Sequence, residues 1–265
     1  MKHFLILILA LVFAAQGVAC VQEGDILIYK GDTTSIFYGY PLEKHPDIKS
    51  LRGKMFNGEC IFLSSCSREY VAEWTIVNDQ LYLTEIYGCS DIKADLASLF
   101  GEKYVDGKVK ADWFTGSFGS SQGDFIATMG FDVVYEREAD FYFENGELKN
   151  TQLYDNSKTK ESKYSDCETF EKYIYSNINW EIIPKRDSFV IIAVKLSANE
   201  NGIIDEVEIE KGYNERYDQE VNKEIIRVVR TIPEWNVYFR RGNFKRMPYT
   251  MPIFFSEENR LRYKK

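Results

Sequence analysis

Tyr70, Ala72, Trp74 and Ile76 place an apolar side chain at every second position, the period of a strand with one face in a core. Val77-Asn78-Asp79-Gln80 then turns and Leu81-Tyr82-Leu83 resumes the run, which predicts a hairpin. Asp140 to Phe143, Glu144-Asn145-Gly146-Glu147 and the stretch from Leu148 predict a second hairpin, because Asn-Gly takes the positive φ angles of a tight turn. Between them, Asp91 caps a short helix with Ile92, Leu96, Leu99 and Phe100 at helical spacing, and Gly101 stops it. Trp113, Phe114 and Phe118 around Gly116 and Gly119 predict core and turn, with a ligand groove as the competing expectation.

From Asn150 to Asp166 apolar groups are few and charges many, so this stretch reads as a domain boundary, with a linker over 156–165. Beyond it Asp166 caps a helix with Phe170, Tyr173 and Ile174 on one side. Val190, Ile192, Val194 and Leu196 form one strand face; after Asn199-Glu200-Asn201-Gly202, Ile203, Asp205, Val207 and Ile209 form another. Asp218 caps a second helix whose stripe Val221, Ile225, Val228, Val229 and Ile232 ends at Pro233. Tyr249, Met251, Ile253 and Phe255 share one face of a last strand. The predicted fold class is α+β: a β-rich domain with one short helix over 20–155, then an α-β-β-α-β module over 166–256 with helices on an antiparallel sheet, and a charged tail over 257–265.

The N-terminus changes the setting of this fold. Lys2 and His3, the apolar run from Phe4 to Phe13 and the small residues Gly17-Val18-Ala19 read as a secretory signal over 1–19. That run is about half the roughly twenty residues a spanning helix needs, so no membrane span is expected in the mature chain. Cys20 follows directly, and lipidation of Cys20 competes with simple cleavage because Gly17 stands where leucine is usual. The expected location is the periplasm or outer-membrane-associated envelope, or secretion. Export permits disulfides; for Cys60, Cys66, Cys89 and Cys167 a local pair with free thiols, two bridges, and plain small buried side chains without a bridge all stay open. With 41 acidic against 33 basic side chains and no basic block, nucleic acid is excluded as an expected partner.

Candidate chemistry is sparse. Glu206, Glu208 and Glu210 share a strand face and read as solvated, with Lys195 on the neighbouring strand to pair with one of them. Ser197, Asn199, Asn201, Gly202 and Glu208 fit positions of a calcium loop, but the first lacks a carboxylate and the flanks have strand period, which predicts a hairpin. The glycine-rich 116–123 stretch lacks the lysine that grips phosphate. His45 is the only histidine after the signal, and nothing nearby builds a zinc site or a catalytic triad around it. Glu136, Glu138 and Asp140 are the groups a hydrolase would draw on, in a strand-like segment of ordinary charge alternation. No catalytic residue, cofactor or metal is expected.

The last ninety or so residues resemble the C-terminal domain family of TonB proteins in its Bacteroidetes-like form. The resemblance runs from about Ser165 to Ser256 and rests on Asn-Gly between two strands, Lys211-Gly212, Tyr217-Asp218-Gln219-Glu220, Ile226-Arg227-Val228-Val229, Ile232-Pro233-Glu234-Trp235, Arg241-Gly242 and Met251-Pro252-Ile253-Phe254-Phe255. It implies a module that binds an envelope partner such as an outer-membrane transporter by pairing with its strand, through Trp180, Trp235, Tyr249, Thr250, Met251, Ile253 and Phe254. The chain departs from the TonB plan: the N-terminal segment looks cleavable, only 6 prolines occur, a β-rich domain replaces the spacer, and Trp180-Glu181 stands for the family's Tyr-Pro. Pro248 and Pro252 both remove donors from one edge of the final strand, so weak or no strand addition is expected there. The leading expectation is an envelope binding or adaptor protein. The alternatives are a secreted or lipidated surface protein in which the module is a scaffold, and a hydrolase in the N-terminal domain.

Overall fold

The structure is a computed structural model that describes residues 23–56, 65–89, 92–130, 132–183, 185, 190–210 and 219–264. The signal segment, Cys20, Cys60, Asp91, Lys211-Gly212, Tyr217 and Asp218 lie outside the described residues. Both helices and strands are present, mostly strands, in agreement with α+β. No helix among the described residues is long and apolar enough to cross a membrane. The chain divides into two compact units, one of residues up to 124 and 130–154, the other of 125–129 and 155 onward.

In the first unit β1 (Asp25–Tyr29) and β2 (Asp32–Tyr38) precede helix α1 (Ile48–Met55). Next come β3 (Tyr70–Val77), β4 (Gln80–Gly88), helix α2 (Leu96–Phe100), and the short β5 (Tyr104–Val105) and β6 (Lys108–Lys110). Then follow β7 (Gly116–Met129), whose last five residues count with the second unit, β8 (Asp132–Glu144) and β9 (Glu147–Asp155), whose last residue does too. Pairing runs β3-β1-β2-β7-β8-β9-β4, and β4 pairs back with β3, so the strands close into a ring with β6 and β5 added beside β4. Closure removes the open edges that a flat sheet would leave. Tyr70, Ala72, Trp74 and Ile76 all face the core, as their spacing predicts, with Leu81, Leu83, Phe114, Phe118, Phe141 and Phe143. Phe114 and Phe118 thereby fill the core and line no groove.

The β8–β9 turn has the predicted geometry, φ being positive at Asn145 and Gly146 (51° and 77°), and the predicted β3–β4 turn is of the same kind, with positive φ at Asn78 and Asp79 (49° and 60°). Gly146 has a second constraint. A Cβ there would stand 2.4 Å from the Ala111 carbonyl oxygen, and its backbone bonds both Leu81 and Phe114 where β9 meets β4. Two expectations fail here. The short helix starts at Leu96, where Asp95 accepts from the Ala97 and Ser98 amides, and Ile92 lies outside it. A second helix, α1, also packs on the core through Leu51 and Met55.

The second unit contains helix α3 (Cys167–Asn177), β10 (Val190–Ala198), β11 (Ile204–Ile209), helix α4 (Gln219–Val229), β12 (Tyr238–Arg240), β13 (Asn243–Lys245), β14 (Tyr249–Phe255) and helix α5 (Glu257–Tyr263). Its main sheet is antiparallel in the order β11-β10-β14, and β12 pairs with β13. The α3 cap is as expected, Asp166 accepting from the Thr169 amide. Phe170 and Ile174 of α3 and Val221, Ile225, Val228 and Val229 of α4 share one core with Ile192, Val194, Leu196, Met251 and Ile253. Burying each such aliphatic side chain contributes about 1.5–3 kcal/mol.

On β11 the face changes: Ile204, Val207 and Ile209 meet the core, while Ile203 and Asp205 are exposed, because a register shift at Ser197/Ala198 re-phases the strand. The stretch 156–165 is not a linker. Asn156, Thr159 and Ser162 are buried and bond the backbone or side chains of Gly242, Phe239 and Asn236, so polar composition here satisfies an interior. Nor is 257–265 merely a charged tail: Ser256 caps α5, and buried Arg260 donates to the Trp180 and Ile183 carbonyls. Arg260→Ala strands those two carbonyls, and is expected to lower the unfolding free energy of the full chain by about 2–4 kcal/mol in urea titration. A loss below about 0.5 kcal/mol would return α5 to the status of a tail.

Candidate functional site

The seven residues expected to meet a partner divide sharply by burial. Trp235 is fully buried, edge-on to Phe170 and to Tyr249. Trp180 is buried against Phe255 and Tyr175, its indole N–H donating to the Tyr175 carbonyl. Met251 and Ile253 fill the sheet core. Tyr249 is half-buried, its hydroxyl 2.7 Å from that of Tyr238. Only Thr250 and Phe254 present exposed side chains. The resemblance had grouped core-filling aromatics with surface positions.

Pro252 stands opposite Ala193 in the β10–β14 pairing and has no N–H, so it leaves the outer edge of β14 without a donor at that position. Thr250 and Phe254 share that edge by the alternation of a strand. At Phe254 the edge is already occupied. Its amide donates to Oε1 of Glu171 at 3.2 Å, and its carbonyl accepts from Asn259 Nδ2 at 2.9 Å. The Tyr175 hydroxyl, 2.7 Å from the same carbonyl and 2.9 Å from Glu171 Oε1, shares its one proton between them. Side chains of α3 and α5 therefore hold the groups that an added strand would need.

Other predicted groups are structural. Asn199 accepts from the Asn201 and Ile203 amides, shaping a hairpin turn at the calcium-like spacing. Lys195 stands opposite Glu208 in register, and the Glu206 carboxylate accepts from Ser197. His45 is buried edge-on to Trp113 and Phe100, and its Nδ1 accepts from the Asp47 amide; burial lowers its pKa. Glu138 and Asp140 depart from plain charge alternation, since both are buried, and Asp140 accepts from Tyr38, Tyr142 and Tyr154. Cys66 and Cys89 form a disulfide with Cα atoms 6.2 Å apart, and Cys167 is free and exposed.

A buried charged cluster lies where no candidate residue was expected. Asp25 is completely buried at the start of β1, accepting from the Ala72 amide at 3.2 Å, Trp74 Nε1 at 3.0 Å and Arg68 Nη2 at 2.9 Å. The Arg68 guanidinium lies over the Tyr40 ring, 3.4 Å from its centre, and Nη2 also donates to the Glu23 carbonyl. Beside it the Glu43 carboxylate accepts from the Tyr70 hydroxyl and from Arg52. Burial and then the bond to Glu43 push the Tyr70 hydroxyl pKa up. Arg52, Arg68 and Tyr70, with Met55 and Phe56, line a cleft of about 230 Å³. A signal for Asp25 was present: it shares strand parity with Leu27, which fills the core. Comparison with protein families, curated proteins and solved structures returned no match to this chain.

Burial raises the Asp25 pKa to about 6, against the opposing pull of Arg68 and the bonds from Trp74 and Ala72, with Glu43 adding to the rise. The folded chain thus takes up a proton near pH 6, the unfolded chain only near the ordinary value of about 3.9. Stability from this group is present below that lower value and is lost as pH rises through about 6. Relative to Asp25→Asn, the natural chain should gain up to about 3 kcal/mol of unfolding free energy between about pH 7 and about pH 4. Urea titrations across that range that stay parallel for the two chains would refute the assignment.

Proposed function

We propose that the chain is an exported cell-envelope binding protein, with the ring of strands as its binding unit and the C-terminal unit as a structural scaffold. The observation that carries export is the Cys66–Cys89 disulfide, and the binding role rests on the cleft lined by Arg52, Arg68 and Tyr70. A disulfide of this kind persists in the periplasm or outside the cell and is rare where thiols are kept reduced. It accords with the signal-like residues 1–19 and with lipidation or simple cleavage at Cys20.

A role as adaptor to an outer-membrane transporter is the second reading, supported by the TonB-like residues between 165 and 256. Strand addition at β14 is the step that this reading needs, and the occupied groups of Phe254 favour the scaffold. The two readings part in one experiment. Pull-down from envelope fractions with the full chain and with Thr250→Pro, which removes another outward donor of that edge, should recover the same proteins. Loss of a transporter with Thr250→Pro would reinstate the adaptor.

Export has its own test. Thiol labelling of fractionated cells should find the chain in the envelope or medium with Cys66 and Cys89 oxidised. Recovery in the cytosol with both thiols labelled would defeat the proposal. Replacing both cysteines by alanine should cost about 3 kcal/mol of stability, the loop-closure entropy for a separation of 23 residues.

A further inference from the structure

We propose that the cleft between α1 and the start of β3 binds a small monocarboxylic acid, its carboxylate held by Arg52 and Arg68 and its compact apolar body laid against Met55 and Phe56. The proposal deepens the binding role given to this unit and names the chemistry of its ligand. It rests on that role but not on export, since ligand binding is read on purified protein and export on fractionated cells.

The two guanidinium groups converge on one ring. The Cζ atoms of Arg52 and Arg68 lie 5.8 and 5.7 Å from the centre of Tyr70. Each is anchored from behind through Nη2, Arg52 by Glu43 and Arg68 by Asp25 and the Glu23 carbonyl. Neither anchoring carboxylate lines the cleft. The N–H groups that remain are those suited to the paired oxygens of a carboxylate, which a planar guanidinium binds in fixed geometry.

Arg68 lines the cleft with its Nε sealed from solvent, so an anion there would meet the terminal nitrogens of its guanidinium. Its side chain is only 13% exposed, and its Nε is buried with no hydrogen-bond partner among the described residues. Its placement is also constrained at the backbone: Glu69 adopts φ 67° in a turn whose amide bonds the Cys66 carbonyl at 2.9 Å. A non-glycine residue in that region costs roughly 1–3 kcal/mol, and such strain gathers at binding sites.

Size and lining define the rest of the ligand. The cleft, about 230 Å³, is smaller than the roughly 300–1,000 Å³ of sites for drug-sized ligands, which limits the occupant to a compact molecule. Its apolar part comes from Met55 and Phe56, and Gly53 leaves the α1 side without a side chain. Glu69 also lines the cleft and has interactions of its own. An inorganic anion would leave the apolar wall unused, and a cation would meet two guanidinium groups.

The test uses benzoate as probe, benzamide as its uncharged isostere and inorganic phosphate as the bare anion, by calorimetric titration of the full chain. Benzoate should bind saturably, and benzamide and phosphate at least about tenfold more weakly. Arg52→Gln should weaken benzoate at least about tenfold and Arg52→Lys less, with the melting temperature unchanged for both. Arg52 is chosen because its side chain is 37% exposed, whereas losing Arg68 strands buried Asp25. Absence of benzoate binding, equal binding of benzamide or phosphate, or an indifferent Arg52→Gln would overturn the proposal.

Discussion

The buried carboxylate of Asp25 is the constraint on which the ring of strands depends. Its acceptance from Ala72 and Trp74 holds β1 beside β3 where the two run parallel, a pairing without the short turn that positions antiparallel neighbours. Arg68 supplies the opposite charge that makes this burial tolerable, and Tyr40 supports Arg68 from its other side. Removing one partner of a buried pair commonly costs about 3–5 kcal/mol, whereas replacing both by apolar groups is often neutral. The pair is therefore better explained by what it positions than by net stability. What it positions is the segment that carries Arg68 and Tyr70 to the cleft.

The second unit solves a different problem. A three-stranded sheet has two edges, and edges invite pairing with other chains. On β14 the proline at 252 and the side chains around Phe254 spend the groups that a new strand would use. Tyr175 of α3 also packs against Trp180 and Phe255. Packing and edge protection thus come from one set of side chains, since Tyr175 both packs on Trp180 and Phe255 and bonds the Phe254 carbonyl.

The legible parts of the sequence were those where periodicity and turn chemistry act locally. Tyr70 to Ile76, the Asn145-Gly146 turn and the α4 stripe all depend on neighbours within a few residues, and they fold as their spacing indicates. Misreadings arose where distant residues decide. Asn156, Thr159 and Ser162 look like linker until their partners near 236–242 are known, more than 70 residues away. Arg260 looks like tail until two carbonyls of 180 and 183 claim it. Helix α1 was missed for a local reason: only Ile48, Leu51 and Met55 mark its face, and Gly53 interrupts it. The cleft was beyond reach because Asp25, Glu43, Arg52 and Arg68 come from four separate stretches that only the closed ring assembles.

One turn connects compartment and site. Cys66 begins the turn that ends at Glu69, and its disulfide to Cys89 ties that turn to the end of β4. The Glu23 amide bonds the Ser65 carbonyl and the Glu23 carbonyl accepts from Arg68, so the chain entering β1 is laced to the same turn. In an oxidising compartment the loop leading into β3 is thus held at both sides of Arg68, by a covalent bond at Cys66 and by the strand from Tyr70. A guanidinium so restrained loses little further freedom on meeting an anion, which is the condition under which one charged contact yields useful affinity.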